Sequence, residues 1–188
     1  AEWNYIDLFA GSGVGKLKGS NVIIPGSPII ALSFATLPFA KAYLIDYDHK
    51  KVKKLKYRIE LLKELSKEPK HREYIFCDIT STNVIVRQHD ANKVIDTIYN
   101  EIEERHEELF KKYRRGCHNL IFIDPFGLEF QMKSLKRILT SRVRSDLIIL
   151  FNSYAVGLQA YNHIQHEYSS RELDNHLGYG WYNFVENY

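Results

Sequence analysis

The sequence predicts an α/β fold in which a mostly parallel sheet lies between two layers of helices. Strand and helix patterns alternate along the 188 residues, as they do in parallel α/β proteins. The strand candidates are short, continuous apolar runs, which is typical of strands buried on both faces. The first of them leads into a glycine-rich turn, Ala10-Gly-Ser-Gly-Val-Gly15. Such a turn predicts a ligand site at the carboxyl edge of the sheet.

The first half of the chain predicts three strands and two helices. The strand candidates are Tyr5–Phe9, Ala42–Ile45 and Tyr74–Cys77. Ser27 suits the N-cap of the first helix, and Pro28 suits its first helical position. Asp48 suits the N-cap of a helix to about Leu65, whose apolar residues recur every three to four positions.

The second half of the chain continues the alternation. A long helix is predicted from Asn92 to Tyr113, and Gly116 is expected to end it. The other elements predicted here are strands at Leu120–Ile123 and Leu147–Phe151, a helix around Met132–Leu139, and a helix near Ser169–Leu177.

Composition favours one globular domain over residues 1–188. Hydrophobic residues make up 45% of the chain and charged residues 26%. No apolar run reaches the ~18 residues that span a bilayer, and no signal peptide is visible, so we expect a cytoplasmic protein without a membrane partner. The two cysteines and the scattered histidines predict no metal site. Because strands lie close to both ends, we expect flanking N- and C-terminal parts to be missing.

The glycine-rich segment Asp7-Leu-Phe-Ala-Gly-Ser-Gly13 resembles the first motif of Rossmann-like S-adenosylmethionine (SAM) methyltransferases. In that family the loop passes under the methionine end of the cofactor. The resemblance therefore implies SAM as the cofactor, with Asp7, Gly11 and Gly13 bordering its methionine portion. It also implies the three-layer sandwich of the SAM methyltransferase type.

Three later strand candidates end in an aspartate, namely Asp46, Asp78 and Asp124. Ligands of open parallel sheets bind outside the carboxyl ends of the strands. An acid after the second strand can accept both ribose hydroxyls of an adenosine, which predicts that role for Asp46. An acid after the third strand can accept the adenine amino group, which predicts that role for Asp78. A turn or a helix cap is the ordinary alternative for each one.

The segment Asp124-Pro-Phe-Gly127 resembles the Asp-Pro-Pro-Tyr/Phe motif of amino methyltransferases, which lies beside the transferable methyl group. The resemblance implies that Asp124 accepts a hydrogen bond from the target amine and that Phe126 is the stacking aromatic. This chain has one proline instead of two, and Gly127 stands where the aromatic belongs. Phe126 is displaced by one position, which weakens base methylation as the reaction but leaves the cofactor site.

Several segments together resemble the three-Cys-motif partner proteins (TcmP), a family related to Rossmann-type methyltransferases. They are Tyr5–Gly13, Gly26–Leu32, Leu44–Asp48, Ile121–Gly127 and Leu173–Gly178 with Trp181. The resemblance covers most of the chain. It implies a three-Cys-motif protein as partner and leaves the substrate open.

Two other nucleotide-binding classes compete with this interpretation. Ala10–Lys16 approximates a P-loop, but Leu17 stands where a Ser or Thr must bind Mg²⁺. A dinucleotide fingerprint needs an acid ~20 residues after the glycines, whereas Asp46 lies 39 residues beyond Asp7. The same distance strains the methyltransferase interpretation unless residues 16–25 form an inserted loop.

A third alternative is a binding module without catalytic activity, whose cofactor site has decayed. The run Lys50–Arg72 holds ten Lys or Arg residues against three Glu. Such a run is either an ordinary solvated helix face or a surface that contacts nucleic-acid phosphates.

Overall fold

The structure is a computed structural model that describes residues 1–154, 156–158 and 171–178. Five parallel strands form the main sheet: β1 (Glu2–Asp7), β4 (Lys41–Asp46), β5 (Asn83–Gln88), β6 (Cys117–Ile123) and β7 (Arg144–Ile149). Two short antiparallel strands, β2 (Val14–Lys16) and β3 (Ile23–Pro25), form a separate hairpin. The helices are α1 (Ser27–Phe34), α2 (His49–Lys67), α3 (Ala91–Tyr113), α4 (Met132–Leu139) and α5 (Arg171–Leu177).

The strands of the main sheet follow the order β5-β4-β1-β6-β7. In the sequence order of the sheet strands this is 3-2-1-4-5, the Rossmann arrangement. The chain therefore reverses its direction of progress across the sheet between β1 and β6. Asp7, the last residue of β1, is in register with Phe122 of β6. The crevice above this pair is where ligands of such sheets bind.

Both faces of the sheet are covered, which confirms the predicted three-layer architecture. Alternate residues of the strands face opposite sides, so Tyr5 and Ile6 enter two separate cores. One core packs the sheet against α3 and α4 and includes Ile98. The other packs it against α1 and α2 and includes Leu32 and Leu55.

The predicted third strand, Tyr74–Cys77, is wrong. Those residues form turns and irregular backbone, and the third strand of the sheet is β5. Ile75 and Cys77 are buried in the α1–α2 core, and the Phe76 amide donates to the Ser33 carbonyl at 2.7 Å. These apolar side chains therefore cover one end of the α1–α2 core. The polar residues at both ends of β5 hid the true strand, which lies at the edge of the sheet and is only half-buried.

Several helix ends differ from prediction by a few residues. Gly26 is the N-cap of α1, so Ser27 is the first helical residue. Asp48 caps α2 as predicted, accepting from the amides of Lys50 and Lys51. Helix α3 ends at Tyr113 as predicted, but its C-cap is Arg114, whose φ of 55° is left-handed, and not Gly116. Ser169, where the last helix was expected to begin, lies outside the described residues.

The long interval between β1 and α1 contains the β2–β3 hairpin. This hairpin accounts for the distance between the glycine loop and Asp46. Within the described part of the chain, none of the helices has the length and hydrophobicity that a bilayer crossing would require.

Candidate nucleoside-binding cleft

The glycine loop that follows β1 needs glycine at two positions. Gly11 and Gly13 have φ angles of 62° and 81°, which side chains rarely tolerate. A Cβ on Gly13 would also lie 2.8 Å from Leu55 Cδ1 of α2. Arg58 of α2 donates to the Ser12 carbonyl at 2.5 Å. The loop is therefore held tightly against α2.

Asp46 joins the end of β4 to this loop. One carboxylate oxygen accepts from the Gly11 amide at 2.9 Å, and the other accepts from the Asp48 amide at 2.8 Å. Asp46 is buried, with 8% of its surface exposed. A carboxylate has about four acceptor positions. Two of them therefore remain for further donors, such as the two hydroxyls of a ribose.

Asp7 lies behind the wall of the site. It is fully buried and accepts hydrogen bonds from Ser27 Oγ at 2.6 Å, Tyr5 OH at 3.0 Å and the Phe9 amide at 3.2 Å. Burial raises the pKa of its carboxyl to about 6, although the three hydrogen bonds oppose this shift. Asp7 thus supports the loop from below, connecting β1 to the start of α1.

A cleft of about 590 Å³ opens at the carboxyl edge of the sheet, above the ends of β1, β4, β5 and β6. The lining residues are Leu8, Phe9, Gly11, Asp46, Tyr47, Asp48, Lys51, His89, Asp90, Ala91, Asn92, Asp124, Phe126, Glu129 and Gln131. Five of these are carboxylates, whereas only Lys51 and His89 can carry positive charge. The cleft therefore favours a cationic ligand, or one rich in hydroxyl and amino donors, over a phosphate.

Four of the predicted site residues line the cleft, namely Gly11, Asp46, Asp124 and Phe126. Gly13 does not line it and packs against α2 instead. Its role is to shape the loop, whose Gly13 carbonyl accepts from the Gly26 amide at 2.8 Å.

Asp78 is not part of this site. It precedes β5 and therefore lies at the amino edge of the sheet, opposite the cleft. Its carboxylate accepts from the Thr80 amide at 2.8 Å and caps a 3₁₀ helix, Ile79–Ser81. The predicted position followed from the wrong third strand. The ordinary alternative, a turn or cap, describes what Asp78 does here.

Asp90 is the acid that follows the true third strand, and the sequence interpretation missed it. It lines the cleft and caps α3, accepting from the Asn92 amide at 2.9 Å. A signal was available, because an Asp directly before a long amphipathic helix is a typical N-cap. Tyr47, His89 and Glu129 also line the cleft and were not singled out.

The loop after β6 forms the other wall of the cleft. Asp124 is exposed there, and partial burial of its carboxyl raises its pKa above the ordinary value. Among the described residues its side chain has no hydrogen-bond partner. Asn92 anchors the far end of the loop, donating to the Glu129 carbonyl at 2.6 Å and accepting from the Gln131 amide at 2.9 Å.

Phe126 has 95% of its surface exposed at the rim of the cleft. Its backbone carbonyl accepts from Asn152 Nδ2 at 2.9 Å, which holds the chain while the ring projects outward. The ring is therefore available to a ligand or substrate that approaches from solvent.

The local geometry does not fit a P-loop. In a P-loop the glycine turn runs directly into a helix, with the lysine at its start. Here Lys16 is exposed on the β2–β3 hairpin, and α1 begins only at Ser27. Within the described ranges, no group of three or more His, Cys, Asp or Glu residues is arranged to hold a metal ion.

Comparisons of the chain with protein-family models, with curated proteins and with solved structures found no match. The resemblance to three-Cys-motif partner proteins therefore stays a prediction from sequence motifs.

Proposed function

We propose that the cleft binds SAM and that the protein is a SAM-dependent methyltransferase or a SAM-binding partner protein. The observation that carries the proposal is the acidic cleft at the strand-order reversal, in which Asp46 is hydrogen-bonded to the glycine-loop amide of Gly11. SAM has two cationic groups, a ribose diol and an adenine amino group, all of which suit carboxylates. The phosphates of ATP or NAD would be repelled by the same carboxylates.

The proposal assigns each side chain a role from its place in the cleft. Asp46 accepts hydrogen bonds from the ribose hydroxyls, and the Gly11 loop borders the methionine portion. Asp90 takes the role first predicted for Asp78, because it follows β5 and lines the cleft. Asp124 follows β6 beside the glycine loop, at the reacting end of the ligand.

When bound, SAM supplies a methyl group on a sulfonium that is already activated, so the protein contributes alignment and electrostatics. Asp124 would accept a hydrogen bond from the acceptor amine and so point its lone pair at the methyl carbon. The carboxylate can also take the proton that the amine loses after transfer. The raised pKa of Asp124 brings it closer to the range useful for that step.

Isothermal titration calorimetry with SAM tests the cofactor assignment. We expect SAM and its demethylated product to bind, with ATP and NAD⁺ as negative controls. Asp46→Ala should weaken SAM binding more than tenfold, because a charge-assisted hydrogen bond contributes on the order of 1.5–3 kcal/mol. Asp78→Ala is the matched control, since it removes an aspartate cap at the opposite edge of the sheet. Equal losses in both variants, or no SAM binding at millimolar concentration, would contradict the proposal.

Asp124→Asn tests the catalytic assignment. The variant should keep the SAM affinity of the wild type and lose methyl transfer, measured with radiolabelled SAM and an acceptor that co-purifies with the protein. Full transfer by a stably folded Asp124→Ala variant would remove Asp124 from the mechanism.

A second candidate function is a SAM-independent binding module. The specific observation in its favour is that backbone amides already occupy both oxygens of Asp46, which is what a purely structural aspartate requires. The same calorimetry discriminates the two functions. The partner implied by the family resemblance, a three-Cys-motif protein, is tested by affinity purification and mass spectrometry.

A further inference from the structure

We propose that the first half of α2 is a binding surface for single-stranded nucleic acid. The surface consists of residues 49–58 together with Tyr47, and we call it the basic half of α2. This proposal does not depend on what the cleft binds. The surface is smaller than the predicted contact region Lys50–Arg72, since it contains only the amino-terminal part of that run.

The lysines in the first half of α2 and those farther along the chain differ in whether they form ion pairs. The basic half contains five lysines and Arg58 but no acidic residue. The five lysines are Lys50, Lys51, Lys53, Lys54 and Lys56, all exposed. None of them forms an ion pair with a described residue. Farther along the chain, Lys63, Lys67 and Lys70 pair with Glu60, Glu64 and Glu68 at 3.4, 2.7 and 2.5 Å.

The position of these lysines works against the stability of the helix. The amino end of a helix carries partial positive charge, which favours acidic residues and repels cations. Helix α2 has no acidic residue in its first turn, and the Asp48 cap offsets part of the repulsion. An anionic ligand bound along this face would relieve it. The arrangement of these lysines therefore favours the binding of an anion and does not favour the stability of the helix.

Exposed aromatic rings lie among these charges. Tyr57 is 73% exposed and lies one helical turn from Lys53 and Lys54, on the same face. Tyr47 is 78% exposed at the rim of the cleft. Phosphate-binding cations interleaved with stacking rings are typical of single-strand binding surfaces. A duplex keeps its bases stacked, so it would not use the rings.

The basic half adjoins the cleft, because Lys51 and Tyr47 belong to both. The charges of the two regions are opposite. Phosphates would lie along the lysines and be kept out of the acidic cleft, while an unstacked base could turn toward it. From Lys50 to Tyr57 the surface is about 10 Å long, at ~1.5 Å per helical residue.

Fluorescence anisotropy with fluorescein-labelled dT₂₀ and U₂₀, over a series of salt concentrations, tests the proposal on the whole chain. The test variant replaces Lys50, Lys53 and Lys54 by alanine. We expect its affinity to fall more than tenfold. Because each phosphate contact to a single strand contributes about −0.7 to the slope of log K against log salt, losing three contacts should flatten that slope by about 2.

The matched control replaces Lys63, Lys67 and Lys70 by alanine, which changes the net charge by the same amount. Its affinity should stay within about twofold of the wild type. Equal losses in the two triple variants would show that only net charge matters and would overturn the proposal. All six substitutions are on exposed or half-exposed positions, and circular dichroism checks that both variants are folded.

A second pair of variants tests the aromatic contribution. Tyr57→Ala should weaken dT₂₀ binding at least about fivefold, since stacking on a ring contributes at least about 1 kcal/mol per base. Tyr57→Phe should bind as the wild type does. An unchanged affinity in Tyr57→Ala, or equally tight binding of a duplex or of poly-glutamate, would overturn the proposal in favour of another polyanion or an acidic protein.

Discussion

The two edges of the sheet carry the same kinds of charged residue but give them different partners. At the amino edge, Glu2 pairs with Arg105 at 2.6 Å, and Lys41 pairs with Glu101 at 2.6 Å. At the carboxyl edge, Asp46 and Asp90 accept from backbone amides. None of the five cleft carboxylates forms an ion pair with a described residue.

The difference shows which charges the fold neutralises and which it leaves for a ligand. An ion pair between side chains cancels most of its own field, whereas an amide that donates to a carboxylate positions the charge and leaves its sign. The carboxyl edge thus keeps a negative field in a concave site. Mutations at the amino edge should act on stability alone, and mutations at the carboxyl edge should act on binding, on stability, or on both.

The largest effect on stability is expected from Gly13→Ala at the carboxyl edge. An alanine there must adopt a left-handed conformation and place its Cβ 2.8 Å from Leu55 Cδ1. The two costs together should lower the free energy of unfolding by about 3–4 kcal/mol in urea denaturation. Gly11→Ala is the control: nothing lies within 4 Å of its Cβ, so it should lose only about 1–2 kcal/mol. Similar losses in the two variants would contradict the packing argument.

The next effect concerns the pH dependence that Asp7 imposes. Its pKa rises from the ordinary 3.8 to about 6 on folding, so the folded state binds the proton more tightly than the unfolded state does. The contribution of Asp7 to stability is therefore fully present below about pH 4, and it is lost as the pH rises through about 6. One pKa unit corresponds to about 1.4 kcal/mol, which predicts a loss of roughly 3 kcal/mol.

Asp7→Asn removes this titration. The difference in unfolding free energy between the wild type and Asp7→Asn should move by roughly 2.5 kcal/mol toward the variant between pH 4 and pH 7. Urea denaturation at a series of pH values measures it. Parallel pH profiles for the two proteins would show that Asp7 is charged in the folded state at no cost.

Two substitutions of Asp90 distinguish its role as a helix cap from its proposed role in binding SAM. Asp90→Ala should lose about 1 kcal/mol of stability, because the cap of α3 is removed. Asp90→Asn should keep that stability, since asparagine caps equally well. Both variants should weaken SAM if the carboxylate contacts the adenine amino group. Unchanged SAM affinity in Asp90→Asn would limit Asp90 to the cap.

The smallest effect is expected at the amino edge. Arg105→Ala removes the bidentate contact to Glu2, in which both partners are partly exposed. Exposed ion pairs of this kind contribute little to stability, and salt screens them. Thermal unfolding at low and high salt measures the loss, which should shrink at high salt. A change in SAM affinity would break the distinction between the two edges.

Local patterns predicted much of the architecture. Continuous apolar runs identified four of the five sheet strands. Interior strands buried on both faces leave few other sequences possible, and the edge strand β7 is also apolar although it is only partly buried. The Asp48 cap and the glycine loop were also visible, since each depends on neighbouring residues and on backbone conformation. The hydrogen bond from the Gly11 amide to Asp46 shows that the two lie together at the carboxyl edge of the sheet.

The third strand shows where local patterns fail. Tyr74–Cys77 has the apolar content of a strand, but it covers the end of a core layer, while the more polar β5 pairs with β4 at the edge. The choice between them depends on which segment can reach β4 across α2. Because the third strand was misplaced, Asp78 was predicted at the carboxyl edge of the sheet and Asp90 was not identified.

The sequence by itself determined the alternation of elements and the candidates for a nucleoside site, because these follow from side-chain polarity and from the backbone freedom of glycine. Only the tertiary structure decided which aspartates share a cleft and which lysines remain unpaired. Those properties depend on which atoms come within a few ångströms of each other across loops and helices far apart in the chain. Ser27 is one example: it is no helix cap, but its hydroxyl lies 2.6 Å from Asp7, twenty residues earlier.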